Sequence, residues 1–161
     1  MPTVKEVLND TKKRLKEQGI DTFSLDSSLL VSEVTGFTKI QLVTHDRDEV
    51  TVEQLDRLEN LVEERLKNKP MQYILGHCEF MGLDFKVTEN TLIPRGDTEN
   101  IVEEVIATIE DSGYNTVLDM CTGTGAIAIS VAHYTKAKVT ASDISKKALE
   151  VARENAQNLN A

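Results

Sequence analysis

The chain has 161 residues, 40% hydrophobic and 28% charged, with no Trp, three Tyr, four Phe and a formal net charge of −9. That length holds one ordinary domain or two small ones with aliphatic cores; no apolar run reaches the roughly 18 residues of a membrane span, and the acidic balance opposes direct binding to nucleic-acid phosphates. The N-terminus shows no signal-peptide pattern, and Cys78 and Cys121 are far apart in no Cys-x-x-Cys motif, which fits reduced thiols in a cytoplasmic setting.

Residues 3 to about 68 read as a helical bundle. Thr3-x-x-Glu6 is a capping box, and Val4, Val7, Leu8 and Leu15 give one apolar face before Gly19. Leu25, Leu29, Leu30 and Val34 mark a second helix that stops at Gly36. Thr38-x-x-Gln41 opens a short third helix, and Thr51-x-x-Gln54 a fourth, with Val52, Leu55, Leu58, Val62 and Leu66 in its stripe. These stripes predict core, and the charges between them (Lys12, Lys13, Arg14, Glu63, Glu64, Arg65) a solvated face.

Pro70 begins a change of texture. From Met71 to Val87 strand formers cluster around turn signals, Gly76 and then Met81-Gly82-Leu83-Asp84, which predicts a β-hairpin linking two domains. Thr91-Leu-Ile-Pro-Arg-Gly-Asp-Thr-Glu99 is irregular, held so by Pro94 and Gly96, and Asp97 or Thr98 is expected to cap the next helix. That helix carries Ile101, Val102, Val105, Ile106 and Ile109 and stops near Gly113.

The most informative stretch follows, Thr116 to Ser130. A short apolar run ends in Asp119, a glycine-rich loop Cys121-Thr122-Gly123-Thr124-Gly125 comes next, and then a helical apolar pattern. Glycines at 123 and 125 allow a sharp bend and a close backbone approach to a ligand. Some 20 residues on, the strand Lys138–Ser142 ends in Asp143, where a carboxylate can accept hydrogen bonds from both ribose hydroxyls. A last helix runs from about Ser145, bearing Ala148, Leu149, Val151, Ala152 and Leu159. The whole reads as half of a nucleoside-cofactor site. Gly123-x-Gly125-x-x-Ala128 meets the loose dinucleotide fingerprint. Asp119 points the other way: a fixed negative charge opposes a pyrophosphate and suits a ligand carrying an ammonium and a sulfonium, such as S-adenosylmethionine. His45, His77 and His133 show no metal-ligand spacing, and no metal site is expected.

Gln72-Tyr-Ile-Leu-Gly76, Glu79-Phe80, Gly82-Leu83, Leu92-Ile-Pro-Arg95, Asp97-Thr-Glu99, Asp119-Met-Cys-Thr-Gly-Thr-Gly125 and Ser142-Asp-Ile-Ser145 occur in the order and spacing of HemK/PrmC-type methyltransferases. The chain resembles that family over essentially all its residues, and Asp97-Thr98-Glu99 fits the release-factor branch better than the ribosomal-protein branch. Gly96 departs from the proline common there. The implied fold is an α-helical N-terminal bundle (1–70, substrate recognition) plus a β-hairpin linker (71–90). The first part of an α/β class I (Rossmann-like) methyltransferase domain (91–161) would follow.

The resemblance implies methylation of the glutamine side-chain amide in the Gly-Gly-Gln loop of class 1 peptide chain release factors, with S-adenosylmethionine as cofactor. Asp119 would sit near the methionine end, Cys121, Thr122, Gly123, Thr124 and Gly125 would line the cofactor, Asp143 would bind ribose, and Ile144 would pack near adenine. Arg95, Thr98 and Glu99 could border the pocket, or equally form a capped helix start with a surface ion pair. The family's amide-holding Asn-Pro-Pro-Tyr motif does not occur in these residues. No catalytic residue is therefore assigned, and the chain reads as an N-terminal fragment, expected to be inactive alone. Its strand edges should be unpaired and prone to self-association. The alternatives are a non-enzymatic release-factor-binding module and a related methyltransferase acting on a ribosomal protein; an NAD-binding oxidoreductase is disfavoured by Asp119 and the upstream motifs.

Overall fold

Three threonines start three of the helices. In the computed structural model, which describes residues 1–161, Thr3, Thr38 and Thr51 sit at the N-caps of α1 (Val4–Glu17), α3 (Lys39–Thr44) and α4 (Val52–Leu66). Each hydroxyl accepts the N–H three residues on, and the side chain of Glu6, Gln41 or Gln54 accepts the threonine N–H in return. Each box satisfies two N–H groups that the first turn leaves without a helical partner. The intervening helix α2 (Phe23–Thr35) ends on Gly36, whose φ of 74° is the left-handed stop that glycine adopts without Cβ strain.

The chain folds as two units, Met1–Leu75 and Gly76–Ala161, each with its own hydrophobic core. The first packs Val4, Val7 and Leu15 of α1 against Leu30, Val31 and Val34 of α2, and against Leu58 and Val62 of α4. Burial of such side chains is worth about 1.5–3 kcal/mol each. Val52, expected in the α4 stripe, is exposed, as it lies in the first turn before the helix meets the core. Two polar side chains enter this interior together: Arg65 of α4 donates through Nε to Oδ2 of the buried Asp26 of α2 at 2.7 Å. The Thr22 hydroxyl donates to the same oxygen at 2.8 Å.

The strand pattern expected from Met71 onward fails over its first five residues, because Met71–Leu75 forms a short helix, α5. The carbonyl of Pro70 accepts from the N–H groups of Tyr73 and Ile74, and proline's fixed φ suits a helix start. The hairpin itself is β1 (His77–Phe80) and β2 (Leu83–Lys86), antiparallel, with Phe80 opposite Leu83. Its two-residue turn has φ of 53° at Met81 and 71° at Gly82, the signs of a type I′ turn. Phe80 and Phe85 are fully buried and meet edge to face, 6.2 Å between ring centroids.

After an irregular segment with a turn at 89–90, Gly96–Thr98 makes a 3-10 turn and α6 (Glu99–Ser112) begins. The expected cap is absent: Thr98 occupies the N-cap position with helical φ and ψ, so its hydroxyl makes no capping bond. Gly113, at φ 68°, ends α6. β3 (Thr116–Met120) then pairs in parallel with β4 (Lys138–Ser142) in the register Val117 to Val139, with α7 (Ala126–Tyr134) as the crossover. Ser145 caps α8 (Lys146–Asn158) through its hydroxyl, which accepts from the Ala148 N–H at 3.2 Å.

The core of this unit joins Phe80 and Phe85 of the hairpin to Val102 of α6 and to Ala126, Ile129 and Val131 of α7. Val117 and Val139 face it from the strands. Leu118 and Met120, which alternate to the other face, are 62% and 70% exposed. A parallel pair ordinarily buries both faces; here one is covered and the other bare. No helix is long and apolar enough to cross a membrane.

Candidate functional site

The turn between β3 and α7 is built on left-handed backbone. Cys121, Gly123 and Gly125 have φ of 64°, 57° and 83°. Such values are uncommon outside glycine, so Cys121 is the strained member of the three. The two glycines serve different ends. A Cβ on Gly123 would meet nothing within 4 Å, so its backbone faces open space. A Cβ on Gly125 would lie 2.8 Å from Ile129 Cδ1 and 3.2 Å from Ala152 Cβ, so the absence of a side chain lets α7 and α8 close on each other.

Two carboxylates brace the loop. Asp119 accepts from the Thr122 hydroxyl at 2.6 Å. Asp143, at the end of β4, accepts from the Gly123 N–H at 2.9 Å through one oxygen and from the Ser145 N–H at 2.8 Å through the other. Those bonds, Ser145 first and then Gly123, hold the Asp143 carboxyl below the ordinary aspartate range. Backbone bonds complete the turn: the Thr122 N–H donates to Ser142 O at 2.9 Å, and the Gly125 N–H to Thr122 O at 2.8 Å. The loop is thus tied to both strand ends.

A cleft of about 170 Å³ opens on its outer side. Arg95, Thr98, Cys121, Thr122, Gly123 and Thr124 line it, together with Phe80 and the apolar run Leu92 to Pro94. Those six were singled out in the sequence, and the fold brings them to one place. The other five lie elsewhere. Asp119 and Asp143 support the loop outside the lining, Gly125 faces α8, and Ile144 is fully exposed beyond β4. Glu99 turns to the hairpin, where its carboxylate accepts the Met81 N–H at 2.7 Å. Neither pocket rim nor exposed ion pair describes Glu99. Arg95 lies 4.0 Å from Asp97, both well exposed, a pair of little energetic weight.

Three further residues shape this site, none of them assigned a site role from the sequence, although Phe80 lies in one of its motifs. Phe80 forms a wall of the cleft from the hairpin. Tyr134 donates its hydroxyl to Met81 O at 2.7 Å, so the hairpin turn is held on both its N–H and its carbonyl. Asn155 reaches the loop from α8 and donates to Thr124 O at 2.9 Å. Larger clefts of about 290 and 300 Å³ lie between α1 and α4 and between α6 and the start of β3, but neither touches the glycine-rich loop.

Comparison with known proteins places both units among families already described. Residues 6–76 match the family model of the PrmC N-terminal domain, and residues 117–161 that of a methyltransferase domain. A release factor glutamine methyltransferase of Moorella thermoacetica is 39% identical over 158 residues, covering 98% of this chain and 56% of the relative. Its counterpart in Clostridium acetobutylicum is 41% identical over 158 residues, 98% of this chain and 55% of the relative. That of Neisseria gonorrhoeae is 43% identical over 138 residues, 85% and 50% respectively. The chain spans about half the length of the curated relatives it matches. Over that half, the chain is similar from end to end to release factor glutamine methyltransferases, with a PrmC N-terminal domain followed by the start of a methyltransferase domain.

Proposed function

We propose that this chain supplies the helical recognition unit and the cofactor-binding loop of a methyltransferase that modifies the Gly-Gly-Gln glutamine of class 1 release factors, using S-adenosylmethionine. The observation that carries the reading is the junction of the two strand ends: the Asp143 carboxylate bonded to the Gly123 N–H of a loop that opens into a cleft.

The residues present fit that cofactor. Each Asp143 oxygen accepts one backbone N–H and keeps further acceptor capacity for ribose hydroxyls. Gly123 offers bare backbone where a ligand can approach. Asp119 places negative charge at the loop, which favours an ammonium and a sulfonium and disfavours a pyrophosphate. Ile144, fully exposed, offers an apolar surface for adenine. S-adenosylmethionine would supply the electrophilic methyl group on its sulfonium. The chain's own contribution is to hold and orient that cofactor through Asp119, Asp143 and the backbone of Cys121 to Gly125. Arg95 and Thr98 would border the cleft on the opposite side of the loop. At about 170 Å³ the cleft is smaller than the roughly 300 Å³ at which small-molecule pockets begin, so it would enclose only part of the ligand.

The test is calorimetric titration of the chain with S-adenosylmethionine, beside Asp143→Ala. Micromolar binding that the substitution abolishes supports the cofactor assignment; absence of binding by the folded chain overturns it. Turnover of a release factor by the chain alone would refute the expectation that these residues lack an amide-holding element.

A further inference from the structure

A fully buried asparagine within an otherwise amphipathic helix needs a reason, because asparagine is a poor helix former whose side chain demands partners. Asn155, near the C-terminal end of α8, is 1% exposed. Its carboxamide makes three bonds. Nδ2 donates to Thr124 O at 2.9 Å and to Lys86 O at 3.0 Å, while Oδ1 accepts the Lys86 N–H at 2.8 Å. Toward β2 the side chain imitates a neighbouring strand, offering one donor and one acceptor to the two backbone groups of a single residue. Toward the loop it fixes the carbonyl of the residue between the two glycine hinges. Only a carboxamide can do both, since a carboxylate cannot donate and an aliphatic side chain can do neither.

The neighbourhood shows why this matters for the cleft. Ala152, one turn before Asn155, is the small residue against which Gly125 closes. The hairpin clamped at Lys86 carries Phe80, which lines the cleft opposite the loop. Thr124 itself is buried and lines the cleft. One side chain therefore couples both walls.

We propose that Asn155 is a positioning residue for the cofactor, locking the glycine-rich loop and the hairpin wall of the cleft into one body through its carboxamide. It touches no ligand; it acts through Thr124 and Lys86. The proposal rests on the cofactor reading above for its functional consequence, and on the hydrogen bonds alone for the coupling.

The experiment compares the chain with Asn155→Ala, Asn155→Asp and Val102→Ala. Val102 is fully buried in α6 in the same core as Phe80 and Ala126, so its truncation loosens that unit while leaving every hydrogen bond to the loop in place. Amide exchange is followed at Gly123 and Gly125, whose N–H groups bond to Asp143 and Thr122 and not to Asn155. Both Asn155 variants should speed exchange there by about ten-fold beyond Val102→Ala at matched global stability, and weaken S-adenosylmethionine binding by a similar factor. Equal loop exchange in Asn155→Ala and Val102→Ala overturns the proposal, as does full retention of the coupling by Asn155→Asp. If the loop amides respond but the parent chain binds no S-adenosylmethionine, the coupling stands and the cofactor reading falls.

Discussion

Substituting alanine at Gly125 and at Gly123 should give unequal losses, although the two residues share one loop and one backbone region. Both have positive φ, 83° and 57°, and a Cβ in that region costs about 1–2 kcal/mol. At Gly123 nothing else is met. At Gly125 the new methyl arrives 2.8 Å from Ile129 Cδ1, 3.2 Å from Ala152 Cβ and 3.4 Å from Ala152 Cα. The first of these can swing aside; Ala152 Cβ, fixed to its backbone, cannot without moving α8. Overpacking of this kind costs a further 1–3 kcal/mol, roughly. Gly125→Ala should therefore destabilise the second unit by about 2–5 kcal/mol against about 1–2 for Gly123→Ala. Amide exchange at Ile129, whose N–H bonds to Gly125 O at 2.8 Å, reads the opening of that unit directly. Ile129→Val removes the clashing Cδ1 and should recover part of the loss in the Gly125→Ala background, a non-additive pair. The order should reverse for S-adenosylmethionine, with Gly123→Ala folded but impaired in binding, because its Cβ fills the open approach. Equal destabilisation by the two alanines, or strict additivity with Ile129→Val, would refute the packing argument.

Other consequences are simpler. Asp26→Ala leaves the largely buried Arg65 guanidinium without its carboxylate and should cost the helical unit about 3 kcal/mol, measured by urea denaturation. A loss below about 1 kcal/mol would show that Lys69 O and the Thr22 hydroxyl, its other partners, suffice. For Asp143 the folded carboxyl titrates below the unfolded one, so its bracing is complete above the unfolded value of about 3.9 and is lost as pH falls through the lowered folded value. Gly123 amide protection, corrected for intrinsic exchange, should fall over that acid window in the parent chain and show no such step in Asp143→Asn. The bare sheet face bearing Leu118 and Met120 should drive self-association, seen by light scattering and reduced by Leu118→Lys. A monodisperse parent monomer at high concentration would count against it.

What the sequence disclosed follows how far each interaction reaches along the chain. The three capping boxes span four residues each and were all legible, as were the left-handed stops at Gly36 and Gly113. The strand–loop–helix at 116–130 and the acid after β4 were equally plain, since composition and local order specify them. Thr98 misled because the sequence shows a capping residue type and not its φ and ψ, which are helical because Thr98 closes the 3-10 turn. Met71–Leu75 misled because five residues are too few for periodicity to distinguish helix from strand. The bonds that shape the cleft were out of reach for a different reason. Asn155 meets Thr124 across 31 positions and Lys86 across 69, and Glu99 meets Met81 across 18. No local pattern encodes such a bond, and a helical asparagine or glutamate looks like surface until the fold buries or redirects it.

The two acids at the strand ends show how residues legible in a sequence can carry a second task that only the fold displays. From sequence, Asp119 and Asp143 are ligand groups. In the fold each is already bonded to the loop, Asp119 to a hydroxyl and Asp143 to two backbone N–H groups. Their charge therefore acts first on the protein, holding three left-handed residues in place where a free loop would relax. A loop fixed this way has already lost the conformational freedom that a ligand would otherwise have to remove, and pre-organisation of this kind strengthens binding without adding a contact. The same arrangement makes the carboxylates poor subjects for simple deletion. On the proposed cofactor reading, Asp143→Ala would remove ribose acceptors and loop bracing together, whereas Asn155→Ala would remove bracing alone. Comparing the two separates the part of cofactor affinity that comes from contact with Asp143 from the part that comes from the shape of the loop.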